Sequence, residues 1–409
     1  MIRLSHGVRR LVAGGVLTLA ACGAPGRVPA LAGPAATLMV DPRAVSNGAL
    51  VVATMPATGT SQYAVTPDQA SNALFKRLAN HGAGLIRLVT NPRPLLADDV
   101  AARAAAVAQV LAVVDAMRAA GLRVIVDLHN WPPGNPAQQS AELINDAGQR
   151  ARLSRALVAL ARQLKSRPMG SVGLELLNEP ACKFMTAMQW PEAQAQFYRA
   201  LRREAPVLPL VLKGCNDGNT DLMRLDVGTY RKDPNAIFSF HFYEPFIFTH
   251  QATYYRGSAF RGVPFPPVPG KVGRLPEYFG MPSEQIKPES VTELAAYLRG
   301  GRGVDVYAGE ISQVGAWADR EGIARRRILL GEFGTTLKPG LDVQKIRPDM
   351  LRWLQMVSQT SQREGFAYSL WPPVRPFGLY IDPVTNLLSS DVLRAVGWRE
   401  AKGIRNGER

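Results

Sequence analysis

Beyond residue 66 the chain alternates between two kinds of apolar pattern. In the first, apolar residues recur on one face. Val107, Val110, Leu111 and Val114 follow Asp98-Asp99 and precede Gly121, and Leu153, Leu157, Leu160 and Leu164 form a second stripe. That spacing predicts amphipathic helices with an acidic start and a glycine stop. In the second pattern, short runs are apolar without alternation: GLIRLV (84–89), LRVIVDLH (122–129), VGLELLN (172–178), LPLVLKG (208–214), AIFSFHF (236–242), RILLGEF (327–333) and FAYSLW (366–371). Unbroken runs of this length are expected of parallel strands covered on both faces. GALVVATM (48–55) supplies a first strand, and the eight together predict an α/β fold, a (β/α)8 TIM barrel, in a chain of suitable length.

Polar residues punctuate these runs. Arg87, His129, Asn178 with Glu179, His241 with Tyr243, Glu332 and Trp371 fall toward the C-terminal side of their segments. In a parallel barrel those ends open on one face, where sites are built, so the residues are expected to line a cleft rather than the core. Two carboxylates on that face, Glu179 and Glu332, are the minimum chemistry of glycoside hydrolysis: one is held protonated to protonate the leaving oxygen, the other ionised to attack or to activate water. Each acid taken alone has a plainer reading. Asn178 could cap a helix that begins at Pro180, and GEFG could be a turn with a solvated acid.

The ordered set LIRLV, VIVDLHNW, ELLNEP, HFY, LLGEFG and SLW, spanning residues 84 to 371, resembles the family 5 glycoside hydrolases, the cellulase-like retaining endoglycanases. The resemblance implies a (β/α)8 barrel and hydrolysis of a β-linked glycan with retention, with Glu179 as acid/base and Glu332 as nucleophile. It also implies that Arg87 keeps Glu332 ionised, that Tyr243 hydrogen-bonds the same carboxylate and that Asn178 contacts the sugar 2-hydroxyl. His129 and His241 would hold sugar hydroxyls or orient the carboxylates, and Trp371 would give the sugar a flat face. Trp131 and Trp190, just past strands three and four, are candidates for flanking subsites. Three stretches depart from the family pattern. Residues 48–66 carry no clear signature, and GCNDGN after strand five contains no aromatic. A long segment from HFYEPF to about residue 290 carries Tyr254, Tyr255, Arg256, Phe260 and Lys271, and either shapes subsites or packs on itself.

Composition changes the picture only at the margins. The 409 residues are 46% hydrophobic and 20% charged, enough for a large core. Lys and Arg number 48 against 33 Asp and Glu, a net of +15 that suits an acidic partner or is simply a solvated basic surface. No basic run is interleaved with aromatics, so nucleic acid is not an expected partner; a polysaccharide, acidic or not, is.

MIRLSHGVRR followed by an apolar run to Ala21 has the layout of an export signal and is too short for a bilayer core of about 30 Å. LAAC (19–22) resembles a lipobox, with cleavage after Ala30-Leu31-Ala32 as the alternative. The expected organisation is a signal over 1–21, a flexible tether over 22–40 and one catalytic domain over 41–400. The chain is expected as a monomer, exported to the periplasm or cell envelope or secreted, and touching membrane only through a lipid on Cys22. Cys182 and Cys215 then remain, either as a disulfide or as two buried thiols. No Cys/His cluster has metal-ligand spacing, so neither metal nor cofactor is expected. The function expected is a retaining endo-β-glycosidase acting on a β-glucan or related exopolysaccharide. The alternatives are a transglycosylase using the same site and a catalytically silent glycan-binding lipoprotein.

Overall fold

A computed structural model describes residues 49–53, 69–129, 135–186, 188–252, 260–335, 342–371 and 389–398. Eight strands, β1 (Ala49–Ala53), β2 (Leu85–Thr90), β3 (Arg123–Leu128), β4 (Val172–Glu175), β5 (Leu210–Gly218), β6 (Ala236–His241), β7 (Ile328–Phe333) and β8 (Ala367–Leu370), pair in sequence order. Every pairing is parallel, and β8 returns to β1 to close the barrel. All eight apolar runs therefore contain a strand. Helices fill the connections, among them Val100–Ala119 after β2, Ala147–Leu164 after β3, Trp190–Glu204 after β4 and Val343–Glu364 after β7.

The helical stripes pack as their spacing requires. Val107, Val110 and Val114 face the core, as do Leu153, Leu157, Leu160 and Leu164. Asp99 caps the helix over Val100–Ala119, its side chain accepting from the Ala102 amide at 2.6 Å, and Asp146 caps the helix over Ala147–Leu164 through the Gln149 amide at 2.7 Å. Each cap satisfies a donor that the helix leaves without an internal partner.

Alternation along each strand divides the barrel interior into levels. At the N-terminal end Leu85, Ile125, Val211, Ile237, Leu329 and Ala367 form one closed apolar cluster. Two positions further along the same strands stand Arg87, Asp127, Lys213, Ser239, Gly331 and Ser369, with Glu175 from β4. All of the side chains at this second level are fully buried. Gly331 is required here, because a Cβ would lie 2.6 Å from Ser239 Oγ and 3.1 Å from His241 Nε2.

Pairing becomes irregular only at the C-terminal rim. Register shifts fall between Lys213 and Gly218, between Phe240 and His241 and between Leu330 and Phe333. Such irregularities re-aim side chains at barrel rims. In β5 the shift places Asn216 and Asp217 at φ +55° and +60°, a left-handed conformation that Asn and Asp tolerate better than most residues.

The long connection from β6 to β7 is not an extended loop. Ile247, Phe260, Val263, Tyr278, Leu294 and Leu298 build a small core of their own, closed by the helix Pro288–Gly300. Of the two expectations for this segment, packing on itself describes the residues of this core. Phe260 is fully buried in that core and presents no face for a sugar. Lys271 is half-buried, and Tyr254, Tyr255 and Arg256 lie outside the described residues.

Candidate active site

The second level of the barrel is a fixed ionic network, and the site stands on it. The Arg87 guanidinium donates through Nε and Nη2 to both oxygens of Glu175, at 2.7 and 2.6 Å. Nη2 also reaches Asn178 Oδ1 at 2.8 Å and lies 3.0 Å from Asp127 Oδ2. Nη1 donates to Glu332 Oε1 at 2.6 Å. Arg87 lies mid-strand in β2 and is wholly buried, so the expectation that it stands at a strand end facing the cleft is corrected: it reaches Glu332 from inside the barrel because its planar fork serves several acceptors at once.

Lys213 ion-pairs with Glu175 and with Asp217. Burial alone would strip its proton, but the charges of Asp217 and Glu175 hold it above the ordinary lysine range. Burial likewise opposes ionisation of Glu175, yet Arg87 and Lys213 outweigh it and bring that carboxyl down to about 2.

Glu332, next to last in β7, has both oxygens engaged: Tyr243 Oη donates to Oε2 at 3.0 Å, opposite the Arg87 contact on Oε1. Burial lifts Glu332 above the usual carboxylate range, and Arg87 limits the rise. Tyr243 is held protonated by burial and by the charges of Glu332 and Glu179, so it remains a donor. Its ring packs edge-on against His250 at 5.0 Å, and the Thr249 hydroxyl donates to its carbonyl at 2.6 Å.

Glu179 lies past the end of β4, not in it, at φ +38°. Its amide donates to Asp217 Oδ2 at 3.0 Å and its carbonyl accepts from Ser140 Oγ at 3.3 Å. The carboxylate projects into the open cleft with 46% of its side chain exposed, and Oε1 meets His241 Nδ1 at 2.9 Å. Enclosure by the mouth, then the charges of Glu332 and Asp217, push Glu179 well above the usual range. Because the side chain is half-open to water, repulsion by the two neighbouring acids outweighs burial in keeping it protonated. His241 is kept neutral by burial and by the nearby Lys213 and Arg87 cations. Its Nδ1 lies 3.5 Å from Glu332 Oε2, so one imidazole touches both acids.

His129 Nδ1 donates to Asp127 Oδ2 at 3.0 Å while Asn178 Nδ2 donates to Nε2 at 3.2 Å, which sets the ring tautomer. Trp371 stacks on the same ring, centroids 5.4 Å apart and planes 13° from parallel. The structure thus brings His129, Asn178, Glu179, His241, Tyr243, Glu332 and Trp371 to one mouth, with Arg87 beneath them inside the barrel. Trp131 lies outside the described residues. Trp190 is a correction: it is fully buried, with Nε1 donating to the Lys213 carbonyl at 3.1 Å, because the helix it starts packs inward on β5.

Asp127, Glu175, Lys213 and Asp217 were not singled out by the sequence reading. The signal for the first three is a charged residue inside a run that must be covered on both faces, as in VIVDL, VGLE and LVLKG, since such a charge is buried only with partners; Asp217, beyond the end of its run, carries no such signal. Cys182 and Cys215 form a disulfide that ties the segment after Glu179 to the one bearing Asp217. The Asn216 amide adds a bond to the Pro180 carbonyl at 3.0 Å.

Donor atoms of Glu179, His241 and Glu332 lie within 4.8 Å of one another, as do those of Glu175, Asp217 and His241. Arg87 and Tyr243 already take the oxygens of Glu332, and Lys213 already bridges the second set, so the donors are arranged for protons rather than for a cation.

The family model described as Cellulase (glycosyl hydrolase family 5) matches residues 48–372. The chain belongs to glycosyl hydrolase family 5. Endoglucanase C of Acetivibrio thermocellus is 28% identical over 145 residues, a match covering 34% of this chain and 39% of that protein. The match thus spans about two fifths of the curated relative. Among solved structures, a hyperthermophilic endo-β-1,4-glucanase is 18% identical with a TM-score of 0.63, over 88% of this chain and 97% of that one. Cel5A of Thermotoga maritima with cellobiose is also 18% identical, with a TM-score of 0.62 over 86% and 98%. The cellulose synthase subunit Z of Clostridioides difficile is 17% identical, with a TM-score of 0.58 over 85% and 99%. At these identities the likeness is one of fold, and this family 5 chain shares the barrel.

Proposed function

We propose that this family 5 chain is a retaining endo-β-glycosidase that cleaves a β-linked glucan or related exopolysaccharide through a covalent glycosyl-enzyme. The observation that carries the reading is the approach of Glu179 and Glu332, one carboxylate oxygen of each lying within 4.8 Å of the other across the mouth. Retaining glycosidases place their carboxyls about 5 to 5.5 Å apart, whereas inverting ones leave roughly 6.5 to 9.5 Å for a water. The environments divide the roles. Glu332, held by the Arg87 charge and the Tyr243 hydroxyl, is the better ionised and attacks the anomeric carbon. Glu179, raised further and open to the cleft, delivers its proton to the leaving oxygen. As a carboxylate it then takes a proton from the water that displaces Glu332, and both acids return to their starting states. Asn178, whose amide is oriented by Arg87 and His129, is placed to meet the sugar 2-hydroxyl, and Trp371 to carry a sugar ring on the face turned from His129.

Reducing-end release across a panel of β-glycans, acidic exopolysaccharides included, tests the reading. Glu179→Gln and Glu332→Gln should each lower turnover of polymer by a hundredfold or more, about the worth of a general acid or base. Glu179→Gln should retain its first chemical step on a dinitrophenyl glycoside, whose leaving group needs no proton. Full activity of either variant on polymer would remove the assignment. Binding without turnover by the wild-type chain across the panel would replace it with glycan binding, and sugar-transfer products at high substrate with transglycosylation. Export, with lipid on Cys22, belongs to the same proposal and rests on the LAAC stretch. Metabolic labelling with a fatty acid reads it, and an unlabelled, soluble product would rule it out.

A further inference from the structure

Beneath Glu179 lies an acid that the hydrolytic steps above do not use. Asp217 is fully buried at the irregular end of β5. Its Oδ2 accepts the Glu179 amide at 3.0 Å, ion-pairs with Lys213 and lies 3.6 Å from His241 Nε2. The imidazole therefore stands among three acids, with Nδ1 toward the Glu179 carboxyl and, at 3.5 Å, Glu332 Oε2, and with Nε2 toward Asp217. His241 Nε2 has no hydrogen-bond partner among the described residues, and the Asp217 carboxylate lies within ion-pair distance of it. We propose that Asp217 is a positioning residue for Glu179, fixing the acid's main chain through its amide and selecting the tautomer of the imidazole that faces its carboxyl.

The physical case has two parts. Glu179 holds a left-handed backbone at φ +38°, a conformation costly for a residue of its kind and one that persists only where the surroundings impose it. Asp217 on the amide and Ser140 on the carbonyl hold the two peptide groups that flank the Glu179 Cα. The Asp217 loop is in turn tied to the Glu179 loop by the Cys182–Cys215 disulfide and the Asn216–Pro180 backbone bond.

The second part concerns a proton. A neutral imidazole carries hydrogen on one nitrogen only, and the group facing the other nitrogen decides which. An Asp217 carboxylate favours hydrogen on Nε2, leaving Nδ1 as an acceptor for the Glu179 O–H. That arrangement suits the acid form of Glu179. Once Glu179 has given up its proton, hydrogen on Nδ1 suits the carboxylate. The groups facing Asp217 are Lys213, Glu175, His241 and the Glu179 amide, with Asp221 accepting from the neighbouring Gly218 amide. Those facing Glu179 are His241, Glu332 and Asp217, with Lys213 and Arg87 behind them. Burial lifts Asp217 to about 7 against the pull of Lys213, so its charge, and with it the preference for hydrogen on Nε2, develops as pH rises through that value.

The inference rests on Glu179 being the acid/base, and its test separates the two. Asp217→Asn keeps the shape and removes the charge. It is assayed beside wild type and Glu179→Gln on the β-glucan that wild type cleaves best and on 2,4-dinitrophenyl β-cellobioside. Thermal unfolding accompanies each assay as a fold control. The expected result is a loss of about tenfold or more on the glucan, a smaller loss on the dinitrophenyl glycoside, and an alkaline limb moved to lower pH. If Asp217→Asn does not fold, Lys213→Gln with Asp217→Asn removes both charges of the pair and is assayed for the same pattern. Equal losses on both substrates with an unmoved alkaline limb would reduce Asp217 to a structural role and overturn the inference, as would wild-type behaviour. An unimpaired Glu179→Gln would overturn the acid/base assignment instead.

Discussion

Two levels of the barrel interior, two residues apart along the same strands, are built from opposite materials. The lower is Leu85, Ile125, Val211, Ile237, Leu329 and Ala367, a closed apolar plug. The upper is Arg87, Asp127, Glu175 and Lys213, with Ser239 and Ser369, equally buried and largely ionic. The lower level needs only volume and contact, so its members are interchangeable within limits of size. The upper level tolerates burial only because each charge finds a partner, and removing one strands the others. One level closes the barrel. The other fixes the direction and charge of the groups at the mouth.

The largest effect expected from breaking this contrast is at Arg87. Arg87→Met leaves Glu175, Asp127 and Glu332 without their common cation. A loss of about 3 to 5 kcal/mol is expected in urea unfolding, with activity lost alongside. If Arg87→Met unfolds at the wild-type midpoint, the network is not what holds the upper level. Ile125→Ala in the lower level should cost about 2 to 4 kcal/mol by loss of contact and cavity formation, yet leave the pH profile of any surviving activity unmoved. A shifted profile in that variant would show that the two levels are not separable.

The smallest effect is in the pH dependence of stability. Glu175 is depressed to about 2 in the fold, so its contribution is complete above the unfolded value of roughly 4.3 and is lost as pH falls toward 2. Asp217 runs the other way. It is raised to about 7, so the fold holds its proton more tightly than the unfolded chain does, and that contribution fades as pH rises from about 4 through 7. Unfolding of Asp217→Asn across this range should keep the acid-side loss and escape the loss between about pH 4 and 7. A curve parallel to wild type would mean that Asp217 titrates alike in both states.

The stretch GLELLNEPAC shows how much of the site the sequence made legible. It holds two glutamates four positions apart. Glu179, ahead of a proline and behind an asparagine, has a plain local reading as a helix start and stood out only because it falls at the end of its run, as Glu332 and the other polar residues do. Glu175 was absorbed into the apolar run, although a charge within a strand covered on both faces predicts a buried ion pair. Trp190 erred in the other direction: its place just past β4 suggested a subsite, but it begins a helix whose inward face decides where an indole goes. Phe260 was open to two readings and follows the same rule, since the β6–β7 connection is long enough to bury apolar groups on its own account.

By itself the sequence determined the number and order of the strands and the inward stripes of the helices. Burial on both faces is written locally, residue by residue, as runs that are mostly apolar, with a charge admitted only where a partner across the barrel meets it. What the tertiary structure alone decided is which acid is inert and which is poised. The charge and direction of Glu175, Glu179 and Glu332 are set by Arg87, Lys213, Asp217 and His241, which lie 38 to 245 positions from the acids they touch. Electrostatic interaction depends on distance through space, and distance through space is fixed only once the barrel has closed.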